Sequence, residues 1–172
     1  MSSMGALEMS RRSRLLLVGG IVLLVLAGLM AWWQSTEPEA LPLSDTQVNA
    51  STPVDRPVYL GVFTTGAGFG RTLHVSGVKI RATSNTDVSL TPLLCRGGNI
   101  GVTTDPQAFC TELVDPEGQD LQAGDSIVLQ VVSDEPAVAV VEPVRIAFRE
   151  SLRWTTVPAG SSAVIRVLPT QS

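Results

Sequence analysis

The chain has 172 residues with 12 basic side chains, 16 acidic ones and a single histidine, for a formal net charge of −4. From Gln34 onward nine basic residues stand against fifteen acidic ones, a net of −6, and no basic stripe offsets the repulsion of phosphate backbones, so nucleic acid is excluded as an expected partner. One histidine and two cysteines are too few to build a zinc site, and no metal or cofactor is expected. Eleven of the basic residues are arginine and only Lys79 is lysine, a skew read as that expected of a GC-rich bacterial genome.

Residues 1–14 form a short N-terminal segment that ends in the basic cluster Arg11, Arg12 and Arg14. The nineteen residues from Leu15 to Trp33 then carry no charge. As a helix they would span about 28 Å, close to the hydrocarbon thickness of a bilayer, so residues 15–33 are read as a single-pass transmembrane helix. Arginines on the short side predict a cytoplasmic N-terminus and place everything after the helix outside the cytoplasm, as a component of a cell envelope. The rival reading is a signal peptide cleaved after Ala27. The run is longer than a signal's apolar region, and Trp32 and Trp33 suit the headgroup level of a retained helix. Gly20, Ala27 and Ala31 share one helical face, where small side chains would let two copies approach as a homo-oligomer.

Residues 34–57 hold four prolines and no sustained apolar period. They are read as an extended spacer that does not pack. Asn49-Ala50-Ser51 is a formal glycosylation acceptor, incidental in a bacterium.

Residues 58–172 change character, to short β-type runs broken by Gly, Pro, Asp and Asn, and are read as one domain. Strands are predicted at Val58–Phe63, Arg71–Thr83 with a bulge at Gly77, Val88–Leu94, Phe109–Val114, Ser126–Val132, Ala137–Val141, Val144–Arg149 and Ser162–Leu168. Pro136 and Pro143 mark an edge or turns. With no amphipathic helical pattern between these runs, the expected fold is all-β, an antiparallel immunoglobulin-like sandwich. Trp154 is expected in its core, with a ligand platform near a polar loop as the alternative.

Cys95 and Cys110, both in the exported part and without a competitor, are read as a disulfide. In the chain-entropy model closing a loop of this length contributes roughly 3 kcal/mol. The bounded loop is glycine-rich, and its polar residues Arg96, Asn99 and Asp105 form the candidate binding site. No catalytic residues are nominated. His74 falls on the solvent side of its strand, no Gly-x-Ser-x-Gly is present, and the glycines from Gly66 to Gly70 lack the order of a phosphate loop. Phe69 among them is either a recognition residue or a cover for the end of the sandwich. Asp115, Glu117, Asp120 and Asp125 are read as turn-forming acids rather than a calcium loop, and Arg145, Arg149, Arg153 and Arg166 as partners for Glu142 and Glu150.

These features favour a non-enzymatic, membrane-anchored binding or scaffolding module with an envelope protein as partner. A sensor of small ligands or metals acting through a membrane partner, or a thiol oxidoreductase using the cysteine pair, is the alternative.

Overall fold

The computed structural model describes residues 11–34 and 39–169. The chain divides into two compact units, 1–38 and 39–172.

The first unit is the helix α1, Arg11–Gln34. Side chains are described for 18–31, and the large apolar ones point outward all round: Val18, Ile21, Leu24, Leu26 and Met30 are 55–75% exposed. Among the described residues no helix is long and apolar enough to cross a membrane.

The second unit is all-β, and its strands are, in chain order, β1 (Val48–Pro53), β2 (Val58–Thr64), β3 (Leu73–Lys79), β4 (Ala82–Ser84), β5 (Ser89–Arg96), β6 (Val102–Thr103), β7 (Glu112–Val114), β8 (Asp120–Leu121), β9 (Ser126–Val132), β10 (Ala137–Val141), β11 (Val144–Glu150), β12 (Arg153–Ala159) and β13 (Ala163–Leu168). They form three sheets, in the orders β1-β13-β10-β4, β12-β11-β3-β8 and β6-β2-β9-β5-β7. All pairings are antiparallel except β1 with β13.

The first two sheets are halves of one bent sheet. Val141 faces Ala163 and Ala82 in one half, while Val144 faces Ala159 and Arg145 faces Lys79 in the other. Three chain segments therefore run through both halves and turn a corner together, at 80–81, at Glu142-Pro143 and at 160–162. Pro143, read from the sequence as marking an edge or a turn, sits at this turn of the chain, where its missing N–H interrupts no ladder. Glu142 spans the corner by donating its N–H to the carbonyl of Arg81 at 2.9 Å.

The third sheet covers the concave side. Alternating residues from the bent sheet, among them Leu73, Val75, Val141, Ile146, Phe148 and Ile165, meet Leu60, Phe63, Leu94, Ile127 and Leu129 in one core. The period-two pattern read in Val144–Arg149 is realised in full, since Val144, Ile146 and Phe148 are 0% exposed while Arg145, Ala147 and Arg149 face outward. The predicted slip in the Arg71–Thr83 run is also present. The register with β11 shifts there, Gly77 facing Ala147 and Val75 facing Phe148, which leaves Ser76 as the extra residue.

Two expectations are corrected. The stretch 34–57 is not an idle spacer, because from Glu39 it belongs to the β unit. Leu41 is 4% exposed, Leu43 bridges Gly160, and β1 runs the length of β13 with Ala50 and Thr52 turned inward. Its polar sequence hid it because only these two small side chains need burial and the ladder partner lies at the other end of the chain. Trp154 is not in the core either. It stands 66% exposed on the outer face of β12, its ring 5.7 Å from the guanidinium of Arg149, the residue opposite it in the ladder.

Gly160 is where the bent sheet and the covering sheet approach backbone to backbone. It sits at the corner between β12 and β13 with φ 75°, and a Cβ there would lie 1.9 Å from the carbonyl oxygen of Val62 in β2. Its N–H donates to Pro42 and its carbonyl accepts from Ser44. Gly160→Ala should therefore cost at least about 2 kcal/mol in denaturant unfolding, from left-handed strain and forced backbone separation together. Gly66→Ala, at φ 66° but with nothing within 4 Å, should show only the strain, about 1 kcal/mol. Equal losses at the two sites would contradict the packing described for the corner.

Candidate functional site

Cys95 ends the buried part of β5 and is bonded to Cys110, with Cα atoms 5.2 Å apart. The segment between them lies back over the outer face of the third sheet. Ile100, both cysteines and Val128 form a second small core there, with Tyr59 and Leu113 against it. Contact with β2 is backbone to backbone at Gly61, which donates to the Gly101 carbonyl at 2.9 Å and whose missing side chain leaves room for Ile100. The loop is thus a cover on a sheet face that would otherwise expose apolar surface, and the disulfide fixes its ends.

The three candidate residues are not brought together. Arg96 is half-buried and saturated by its own surroundings: Nη1 meets the Asp125 carboxylate at 3.0 Å and the Asp120 carbonyl, and Nη2 donates to Gln119 Oε1 at 2.9 Å. Asn99 is exposed and its Oδ1 accepts from the Thr64 hydroxyl at 2.9 Å, beside an open cleft of about 350 Å³ that Pro42, Gly61 and Ser161 also line. Asp105 is exposed at the start of a 3₁₀ turn, Pro106–Ala108, where its backbone N–H is held by the Thr103 hydroxyl. No hydrogen bond or ion pair connects any two of them.

Arg96 serves a buried carboxylate instead. Asp125, with a side chain 8% exposed, accepts from Arg96, from the N–H of Gly97 at 3.1 Å and from the N–H of Gln122 at 3.0 Å. Its own carbonyl takes the Thr65 N–H and hydroxyl. One residue thereby joins the disulfide loop, the turn before β9 and the end of β2. Asp125 is a turn acid as read, closing the turn with Gln122, and in addition it is buried and paired, which the sequence reading did not include. The signal that could have marked it is local: an acid placed at the mouth of Ser126–Val131, a strand buried along nearly its whole length, needs internal partners. Asp115 does act as a turn acid, its carboxylate accepting from the Glu117 N–H.

Other residues singled out in the sequence also find local partners. His74 faces outward as expected and meets Asp120 at 2.9 Å. Glu150 pairs with Arg71, through a two-pronged contact at 2.8 and 2.7 Å, rather than serving the late arginines alone. Phe69 lies 5.8 Å from the same guanidinium and packs on the core edge, so it covers the end of the sandwich. No group of three or more possible metal ligands occurs among the described residues.

The chain matches no family model, no curated protein and no solved structure. Its function must be argued from its own surfaces.

Removing Asp125 leaves a partly buried guanidinium and two backbone donors without their acceptor. Asp125→Ala should lower unfolding stability by about 3 kcal/mol. Asp105→Ala, whose carboxylate makes no contact, should change it by less than about 0.5 kcal/mol. Similar losses in thermal unfolding of the two variants would show that the loop is not held as described.

Proposed function

We infer that this protein is a non-enzymatic, membrane-anchored extracytoplasmic module of immunoglobulin-like sandwich type that binds or scaffolds another protein of a bacterial cell envelope. The anchor rests on the arginine-flanked run Leu15–Trp33 and on the apolar side chains that α1 turns outward in every direction, a surface that calls for lipid or helix partners. Thiol exchange is the weaker reading because Cys95 is 0% exposed and Cys110 8%, which leaves no sulfur open to attack.

The observation that carries the binding role is the outer face of the β1-β13-β10-β4 sheet. Val138 and Val140 of β10 are 48% and 47% exposed, Leu168 of β13 is 51% exposed, and Val164 lies directly opposite Val140. Inward positions of the same two strands are filled by Ala139, Val141, Ile165 and Val167. The exposed branched side chains therefore add nothing to the core and present a ridge to a partner. Beside it β4, only three residues long and exposed throughout, leaves a short strand edge open.

Crosslinking in intact cells with the full chain, compared with Val138→Glu and Val140→Glu, tests this role. A defined set of envelope proteins captured by the native chain and lost in both variants is the expected result. Capture unaffected by either substitution would remove the ridge from the account. Because both side chains point to solvent, the variants should unfold within about 0.5 kcal/mol of the native chain.

A further inference from the structure

The hairpin between β11 and β12 ends in the most exposed large apolar residue among the described residues, Leu152 at 93%, next to Trp154 at 66%. The turn is tight, with Ser151 at φ 56°, and Glu150 faces Arg153 across it. On the same outer face Arg149 lies against the Trp154 ring, and Arg145 and Lys79 follow as ladder partners further along. None of these three cations forms an ion pair among the described residues. A chain that is acidic from Gln34 onward therefore gathers positive charge that no carboxylate among the described residues neutralises, with Arg145 donating only to the Thr156 carbonyl, beside an exposed leucine and tryptophan at one end of one face.

That end is also where the chain enters the unit. Arg71 donates to the Glu39 carbonyl at 3.1 Å and holds the Glu150 carboxylate at the base of the hairpin, so one guanidinium ties the entry point to the tip. Asp55, Asp87, Asp134 and Glu135 cluster at the opposite ends of the strands, before β10 and β5 and after β1 and β9. Asp115 and Glu117 lie by β8, on the far edge of the β12-β11-β3-β8 sheet from the tip.

We propose that the β11–β12 hairpin is a second membrane contact: Leu152 and Trp154 enter the headgroup region of the outer leaflet, and Arg149, Arg145 and Lys79 meet the phosphates of anionic lipid. Tryptophan favours the headgroup level, leucine gains by leaving water, and each cation near an anionic surface adds attraction that salt screens. The acidic groups at this end, Glu39, Glu150 and Asp120, are each paired with Arg71 or His74, while the cluster of Asp55, Asp87, Asp134 and Glu135 lies at the opposite end. A lipid occupant is favoured over a protein one by the arrangement itself, an exposed leucine and tryptophan at a hairpin tip with a row of cations behind them on the same face, which matches apolar depth followed by anionic headgroups. The inference rests on the anchor reading above.

The test uses the full chain carrying Trp32→Phe and Trp33→Phe, so that Trp154 is its only tryptophan, reconstituted into vesicles of phosphatidylcholine and phosphatidylglycerol. Flotation first reports whether the chain is anchored. Trp154 emission is then read with lipids brominated near the headgroup. The expected result is a blue-shifted emission quenched by the bromolipid, lost in Leu152→Asp and reduced by Arg149→Glu or by high salt. A chain that floats while Trp154 stays unquenched and emits as in Leu152→Asp overturns the contact and leaves the anchor standing. A blue shift without quenching would assign the tip to a protein surface, a second copy included, and overturns the lipid assignment. Failure to float overturns the anchor and this contact together.

Discussion

The β unit depends on the close approach of backbone at Gly160. Three long segments bend together there, and β2 of the covering sheet passes so near that only a residue without a Cβ fits. The incoming chain is fastened at the same point through Pro42 and Ser44. This contact sets the distance between the two layers, and the full burial of Leu60, Val75, Ile146 and Phe148 follows from it. It also fixes where the domain begins, because the hydrogen bonds that close the corner are made by residues that come before the first predicted strand.

Polar groups in the interior are handled locally. Asp125 collects three donors from two loops, Thr65 answers two carbonyls, and Ser133 bridges the turn before β10, so the places where the sandwich would leave backbone groups unpaired are closed by single side chains. The consequence for function is direct. The polar residues of the disulfide loop that looked available for a ligand divide into one, Arg96, consumed by the fold, and two, Asn99 and Asp105, left apart on the surface. What the unit presents outward is instead a valine ridge on one face and a tryptophan-bearing, cationic tip on another.

Much of this was legible from periodicity. Ser126–Val132 and Ala137–Val141 have the predicted bounds, Val144–Glu150 extends its predicted run by one residue, and the bulge beside Gly77 and the cysteine pair are as read. The misses have physical causes. β1 is short on apolar residues because its inward positions face the rim of the core, where Ala50 and Thr52 suffice. β12 alternates poorly because, as the edge strand of its sheet, its inner residues Arg153, Thr155 and Val157 are only partly buried, and its tryptophan, which composition alone would bury, is turned out beside Arg149. The Phe109–Val114 run shrinks to Glu112–Val114 because Phe109 ends the 3₁₀ turn that brings Cys110 to its partner. Arg96 and Asp125 are 29 residues apart, and no local pattern could pair them.

The central claim is that the segment after Glu39 is built into the sandwich, so that the domain starts almost where the helix ends. Hydrogen–deuterium exchange on the full chain tests it most directly, at the amides of Ser44, Val48 and Val54, which donate to Gly160, Ser162 and Leu168. The account predicts that these three are protected to a degree approaching the central strand β9 and far beyond the open turn at Gly66–Gly70. Exchange as fast as in that turn would mean that 39–57 is a loose spacer after all, and would contradict the closure of the fold at Gly160.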